Sequence, residues 1–178
     1  MREDDMSNRP ITQHDVSRAR AFALRAHGDQ RYGDHPYSYH LDAVAEILEP
    51  YGHAAQVVGY LHDVVEDTSV PIEEIRAEFG ELVAACVLLV TDLPGENRSE
   101  RKLATNAKLA QVDGEERLAL IVKAADRFAN VRACALSGNE SKLAMYRAEH
   151  PAFREAAYRA KLCDGLWDAM GLVLSRRE

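Results

Sequence analysis

Gly59-Tyr60-Leu61-His62-Asp63-Val64-Val65-Glu66-Asp67-Thr68 places an imidazole and three carboxylates within an otherwise apolar run. Read as one helix, His62 and Glu66 stand four residues apart, as do Asp63 and Asp67, so each pair shares a face. Leu61, Val64 and Val65 interleave with the acids, which makes the segment mostly buried. An acidic run on a helix is ordinarily a solvated face, but Asp and Glu are rarely buried without a partner or a metal. Three carboxylates this close repel one another unless a cation sits among them. The stretch therefore calls for a divalent metal, and a metal beside carboxylates can ionise a water for hydrolysis.

The helical period continues in both directions. Thr12 is expected to cap a first helix with Val16, Ala19, Phe22, Ala23 and Ala26 on one side, ended by Gly28. Asp29 to Pro36 reads as a polar loop, and a second helix runs from about Tyr39 to Leu48, closed by Pro50 and Gly52. The third, about Ala54 to Asp67, carries the opening stretch. Pro71 starts a short helix that ends near Phe79-Gly80, and a more apolar one follows through Val90. After the loop Asp92 to Arg98, Ser99 is placed as the cap of a basic helix reaching about Ala110. A further helix holds Leu118 to Ala125, Gly138-Asn139 marks a break, and Pro151 is expected to open a last long helix. Alternating β-branched runs are missing. The reading is all-α, a single domain of roughly eight to ten helices, with residues 1–10 a disordered lead-in and 11–178 the folded part.

Bulk properties narrow the function. A chain of 178 residues with 47% hydrophobic and 29% charged content suits one soluble domain. No apolar run reaches the length of a membrane span, and the polar start lacks a signal-peptide core. The net charge of −7 argues against a dedicated nucleic-acid binder, though not against a small anionic substrate. Cys86, Cys134 and Cys163 show no paired metal spacing, so they read as reduced core thiols in a cytoplasmic protein.

One helix does not close a metal site. Two other segments offer donors: His40, at the start of the second helix after Pro36-Tyr37, and Asp126, which ends an apolar run with Asn130 one turn on. Asp126 alone reads evenly as a salt-bridge partner of Lys123 or Arg127. Two imidazoles and two carboxylates would make a mixed site suited to Mn²⁺, Fe²⁺ or Zn²⁺.

The order His40, then His62-Asp63, then Asp126 resembles the H…HD…D pattern of HD-domain metal phosphohydrolases. More narrowly, the chain is similar to the (p)ppGpp hydrolases, both the hydrolase domain of RelA/SpoT proteins and the small alarmone hydrolases. The likeness rests on Pro36-Tyr37, Leu61 to Thr68, Phe79-Gly80, Val90-Thr91-Asp92, Arg101-Lys102 and Lys123 to Arg127 with Asn130 and Arg132, and it covers about residues 14 to 170. It implies an all-helical fold, one metal ion, typically Mn²⁺, and hydrolysis of the 3′-diphosphate of (p)ppGpp to GDP or GTP and pyrophosphate. It implies His40, His62, Asp63 and Asp126 as metal ligands and Glu66 and Asp67 as the pair that handles the attacking water. Arg31 and Asn130 match positions associated with nucleotide or phosphate contact. Lys102, with its basic neighbours, could face phosphates, and Tyr37 and Tyr146 could stack on a base. With no residues left over, a synthetase domain is not expected.

Two departures bear on the substrate. Tyr32 stands where relatives carry a second basic residue, and Ala133 where they often carry a hydroxyl. Both predict looser phosphate and base recognition. Two alternatives stay open: an HD phosphohydrolase acting on (p)ppApp, a nucleoside monophosphate or the phosphate of NADPH, and a metal- or nucleotide-sensing module without turnover. Oligomeric state has no signature in the sequence.

Overall fold

The computed structural model describes residues 9–176, so most of the lead-in assigned to residues 1–10 lies outside it. Helix α1, Gln13–His27, starts where the Thr12 N–H and hydroxyl both donate to the Asp15 carboxylate at 2.9 Å. Its buried Val16, Ala19, Phe22 and Ala23 recur at helical spacing, and Gly28 ends it with φ +51°. The following loop folds back as a two-residue ribbon, β1 Arg31–Tyr32 against β2 His35–Pro36. Sequence signals for strands are too weak to reveal so short a ribbon.

Helix α2, Ser38–Leu48, and helix α3, His53–Leu61, pack on one another. Gly59 makes this approach possible, because a Cβ there would run into Leu48 Cδ1 and would lie 3.5 Å from Val44 Cγ1. Gly59→Ala is expected to destabilise the fold by about 1–3 kcal/mol, the usual penalty for overpacking. Thermal unfolding checks this, and a variant as stable as the wild type would show that the contact is not tight.

The third helix does not run to Asp67 as its sequence suggests. It stops at Leu61, Asp63 takes φ −99° and ψ −4°, and a separate single turn α4, Val64–Asp67, follows. That bridge conformation is uncommon in regular structure and frequent at functional positions. The shared-face argument for His62 with Glu66 therefore gives way to a bend, which aims consecutive side chains in different directions.

Helix α5, Ile72–Phe79, and the apolar α6, Glu81–Val90, lead to α7, Arg98–Leu109. Asn97, not Ser99, caps α7 by accepting the Glu100 N–H at 3.0 Å. Helix α8, Leu118–Leu136, is buried all round from Ala119 to Ala125 and packs against α2, α3 and α6. It also supports α9, Glu140–Ala157, and α10, Asp164–Ser175. Each fully buried leucine at this centre, such as Leu41, Leu48, Leu61 and Leu120, contributes about 1.5–3 kcal/mol.

Pro151 does not open the last helix. It lies inside α9, which begins at the Asn139 cap and is held by buried Phe153, Ala156 and Ala157. The chain breaks instead at Tyr158 to Cys163, where Lys161 adopts φ +67° and its N–H meets the Asp164 carboxylate at 3.0 and 3.1 Å. The predicted last helix is thus two. Among the described residues, no helix is long and apolar enough to cross a membrane.

Candidate active site

Three mutually packed helices bring distant residues to one point. His40 lies in the first turn of α2, His62 follows the end of α3, and Asp126 sits midway along α8. The Nε2 atoms of His40 and His62 face each other at 3.3 Å. Asp63 Oδ2 lies 3.0 Å from His62 Nε2 and 3.7 Å from His40 Nε2. Asp126 Oδ1 lies 3.4 Å from His40 Nε2 and 3.6 Å from His62 Nε2. The His62 Nδ1–H donates to the Gly59 carbonyl at 2.7 Å, which leaves the Nε2 lone pair directed at this centre when the ring is neutral.

Both imidazoles are almost fully buried. Burial opposes a charge on His62, but the Asp63 and Asp126 carboxylates outweigh it and hold its pKa well above the ordinary value. Burial likewise favours a neutral Asp63, and His62 reverses this, so its carboxyl lies below the usual range. A centre that draws positive charge onto a buried ring suits a cation. His40, His62 and Asp63 form a group that could hold a divalent metal, and a donor set of nitrogen and oxygen fits that class.

The two acids beyond the bend are held by separate contacts. Glu66 accepts the Asp92 N–H at 2.8 Å, and its burial, opposed by that bond, raises its pKa. Asp67 Oδ2 accepts from Gln30 Nε2 at 3.2 Å and from the Tyr37 hydroxyl at 3.0 Å. The same hydroxyl reaches Asp63 Oδ2 at 2.5 Å. Tyr37 is buried and stacks on His27 at 4.3 Å, while His27 Nδ1 donates to Gln30 Oε1 at 2.8 Å. Tyr37, expected to stack on a base, instead ties the two carboxylates together. Nothing in the sequence tells that His27 and Gln30 orient Asp67.

The basic residues are mostly spoken for. Lys123 is buried, donates to the Val90 carbonyl at 2.7 Å and lies 3.5 Å from Asp92 Oδ1 and 3.8 Å from Asp126 Oδ2. Burial works against its charge, and Asp126 and Asp92 overcome this, so it serves as counter-ion beneath the acids rather than as a phosphate contact. The Lys123 pairing foreseen for Asp126 thus exists, but it is longer than the Asp126 contacts with both histidines. Lys108 donates to the carbonyls of Leu88 and Thr91, at the C-terminal end of α6. Arg98 and Arg127 both bind Glu149 at 2.7 Å, and Arg127 lies 4.9 Å over the Tyr146 ring. Lys102 is bound to the Asp92 carboxylate at 2.5 Å, on the same residue whose N–H holds Glu66. The exposed Arg31 donates to the Asp34 carbonyl within its own ribbon. Burial, and then the Asp126 carboxylate, push the half-buried Tyr146 phenol up to about 12.

Asn130 donates to Asp126 Oδ1 at 2.6 Å and to the Asp126 carbonyl at 3.0 Å, and it accepts the Tyr32 hydroxyl at 2.8 Å. Tyr32 therefore turns inward, which the loss of a basic residue does not suggest. Other features carry less chemistry. A cavity of about 740 Å³ lies between the start of α1 and the α5–α6 turn, but Asp15 there is bound by Arg9, and Arg76 by Glu81. The three cysteines are free and buried, and burial pushes the Cys86 thiol up to about 12, which makes it a poor nucleophile.

The sequence profile of the HD domain matches residues 19–157. A probable guanosine-3′,5′-bis(diphosphate) 3′-pyrophosphohydrolase of Synechocystis is 34% identical over 158 residues, covering 85% of this chain and 20% of that protein. A guanosine-3′,5′-bis(diphosphate) 3′-pyrophosphohydrolase, MESH1, of Danio rerio is 35% identical over 118 residues, covering 62% of this chain and 64% of that protein. The chain thus spans about a fifth of the length of the first and under two thirds of the second. A solved structure described as a metazoan ortholog of SpoT that hydrolyzes ppGpp aligns with TM-score 0.69 and 23% identity over 92% of this chain and 99% of its own, a likeness of fold.

Proposed function

The chain belongs to the HD domain family, and on that premise we propose that it is a metal-dependent hydrolase of the 3′-diphosphate of alarmone nucleotides, releasing pyrophosphate and GDP or GTP from (p)ppGpp. The observation that carries this reading is the meeting of His40, His62, Asp63 and Asp126 around one point, with Glu66 and Asp67 held just beyond it. The four would hold one divalent ion; their mixed nitrogen and oxygen donors suit Mn²⁺, Fe²⁺ or Zn²⁺, and the family resemblance points to Mn²⁺ among these. When bound, such an ion polarises a phosphoryl oxygen and lowers the pKa of water.

The remaining chemistry is the chain's own. Glu66, whose raised pKa suits proton transfer nearer neutral pH, takes the proton of the attacking water, and the Asp92 N–H keeps its carboxylate in place. Asp67, fixed by Gln30 and Tyr37, orients that water. Lys102 meets substrate phosphate by exchanging its Asp92 contact for a phosphate one, and Arg31 contributes from the ribbon. Asn130 and Tyr146 bound the nucleotide side of the cleft. Buried free thiols agree with a reducing, cytoplasmic setting.

The test is a nucleotide panel with Mn²⁺ and the purified chain, with products separated by chromatography. Pyrophosphate is expected from guanine and adenine 3′-diphosphates alike, with kcat/KM differing by less than about a hundredfold, because Ala133 offers no polar contact to reject the wrong purine. A larger preference would mean that another residue reads the base. Orthophosphate alone, from a nucleoside monophosphate or NADPH, would move the chain to the phosphatase reading.

A further inference from the structure

Tyr32 meets the proposed metal-ligand cluster directly at His40 and, through Asn130, at Asp126. Its ring lies parallel to the His40 imidazole, with centroids 4.8 Å apart and planes 11° from parallel. Its hydroxyl donates to Asn130 Oδ1 at 2.8 Å across 98 residues of chain. Asn130 in turn donates through Nδ2 to Asp126 Oδ1 at 2.6 Å, and that oxygen faces both histidines. The direction of this chain of bonds is set by chemistry. A phenol is protonated at neutral pH and can donate or accept, so its own chemistry does not choose the direction. The Asp126 carboxylate and carbonyl oxygens only accept, so the amide nitrogen is the atom turned to them and Oδ1 is left to accept the phenol hydrogen. Without the hydroxyl, Asn130 Oδ1 loses its partner and the amide is held from the Asp126 side alone, which loosens its hold on the carboxylate.

The residue is carried by a device suited to holding it. Tyr32 ends the short β1 strand and pairs with His35, while the Tyr39 ring lies 6.5 Å away and itself stacks on His35 at 4.3 Å. Side chains that support metal ligands in this way fix ligand orientation and alter metal affinity.

We propose that Tyr32 is a positioning residue of the metal centre, its ring bracing His40 and its hydroxyl anchoring the Asn130 amide that holds Asp126. This inference rests on the metal-site reading above. It reverses the expectation from sequence that Tyr32 marks only a lost phosphate contact. Tyr32→Lys would then weaken the site rather than improve substrate binding.

A double-mutant cycle read by Co²⁺ absorbance tests it without any substrate. Wild type, Tyr32→Phe, Asn130→Ala and the double variant are titrated with Co²⁺, and circular dichroism confirms their fold. Phenylalanine keeps the ring against His40 and removes only the hydroxyl. Tyr32→Phe is expected to weaken Co²⁺ binding about tenfold, the lower range for loss of a supporting contact. Because the hydroxyl acts through Asn130, the double variant should bind no more weakly than Asn130→Ala alone. Unchanged affinity in Tyr32→Phe, or losses that simply multiply in the double variant, would overturn the proposal while leaving the metal site intact. A wild type that binds no Co²⁺ would overturn the metal-site reading itself, and this inference with it.

Discussion

Asp126→Ala is expected to abolish both binding of a divalent metal and turnover while leaving the helical fold in place. Asp126 is the sole carboxylate that α8 brings within 4 Å of both His40 Nε2 and His62 Nε2 among the described residues. Alanine removes one donor from the set of four, and the remaining ligands come only from the α2–α3 side. The fold should survive because the change has opposing effects. It deprives Lys123 of one counter-charge, but Lys123 retains the Val90 carbonyl and Asp92. It also relieves the pressure that Asp126 places on the charge of Asp63. No apolar packing is lost, so the cavity penalty of a core truncation does not arise. Metal content by atomic spectroscopy, with circular dichroism as the control for folding, decides the matter. Metal content equal to the wild type would mean that Asp126 is not a ligand.

What the sequence could and could not disclose follows from how far each contact reaches. The helical pattern of α1, the apolar run of α6 and the glycine at position 28 are local, and local periodicity predicts them. His62-Asp63 was legible because its chemistry is dense over a few residues. The bend between α3 and α4 was not, since the same apolar spacing fits a continuous helix and only the conformation of Asp63 breaks it. Pro151 misled for a related reason. A proline usually marks a first turn, but α9 is fixed by its Asn139 cap and its packing, which override one missing N–H. The fate of the cations was hidden because their partners lie far along the chain. Arg98 finds Glu149 and Lys123 finds Asp92, so a run that reads as a phosphate-facing surface is largely an internal brace. Tyr32 is the clearest case, because compared with relatives it looks like an absence, while Asn130 gives its hydroxyl a use.

Glu66→Gln is expected to retain the metal and lower kcat by roughly 10²–10⁴-fold, the range typical of general acid–base catalysis. Glu66 lies on α4, beyond the bend, is not among the four converging side chains, and its carboxylate accepts the Asp92 N–H. Glutamine preserves size and can still accept that N–H through its amide oxygen. What it cannot do is take a proton from water. The loss should therefore fall on kcat and on kcat/KM to a similar degree, as for an interaction made in the transition state. KM should change little, because the charge that remains on Lys102 and its partner Asp92 is unaltered. Metal stoichiometry and steady-state kinetics on the pyrophosphate-releasing substrate give the two readouts separately. Loss of the metal would place Glu66 among the ligands, and a change confined to KM would make it a substrate contact. Either result would pass the proton-accepting role to Asp67, which Tyr37 and Gln30 already hold beside Asp63.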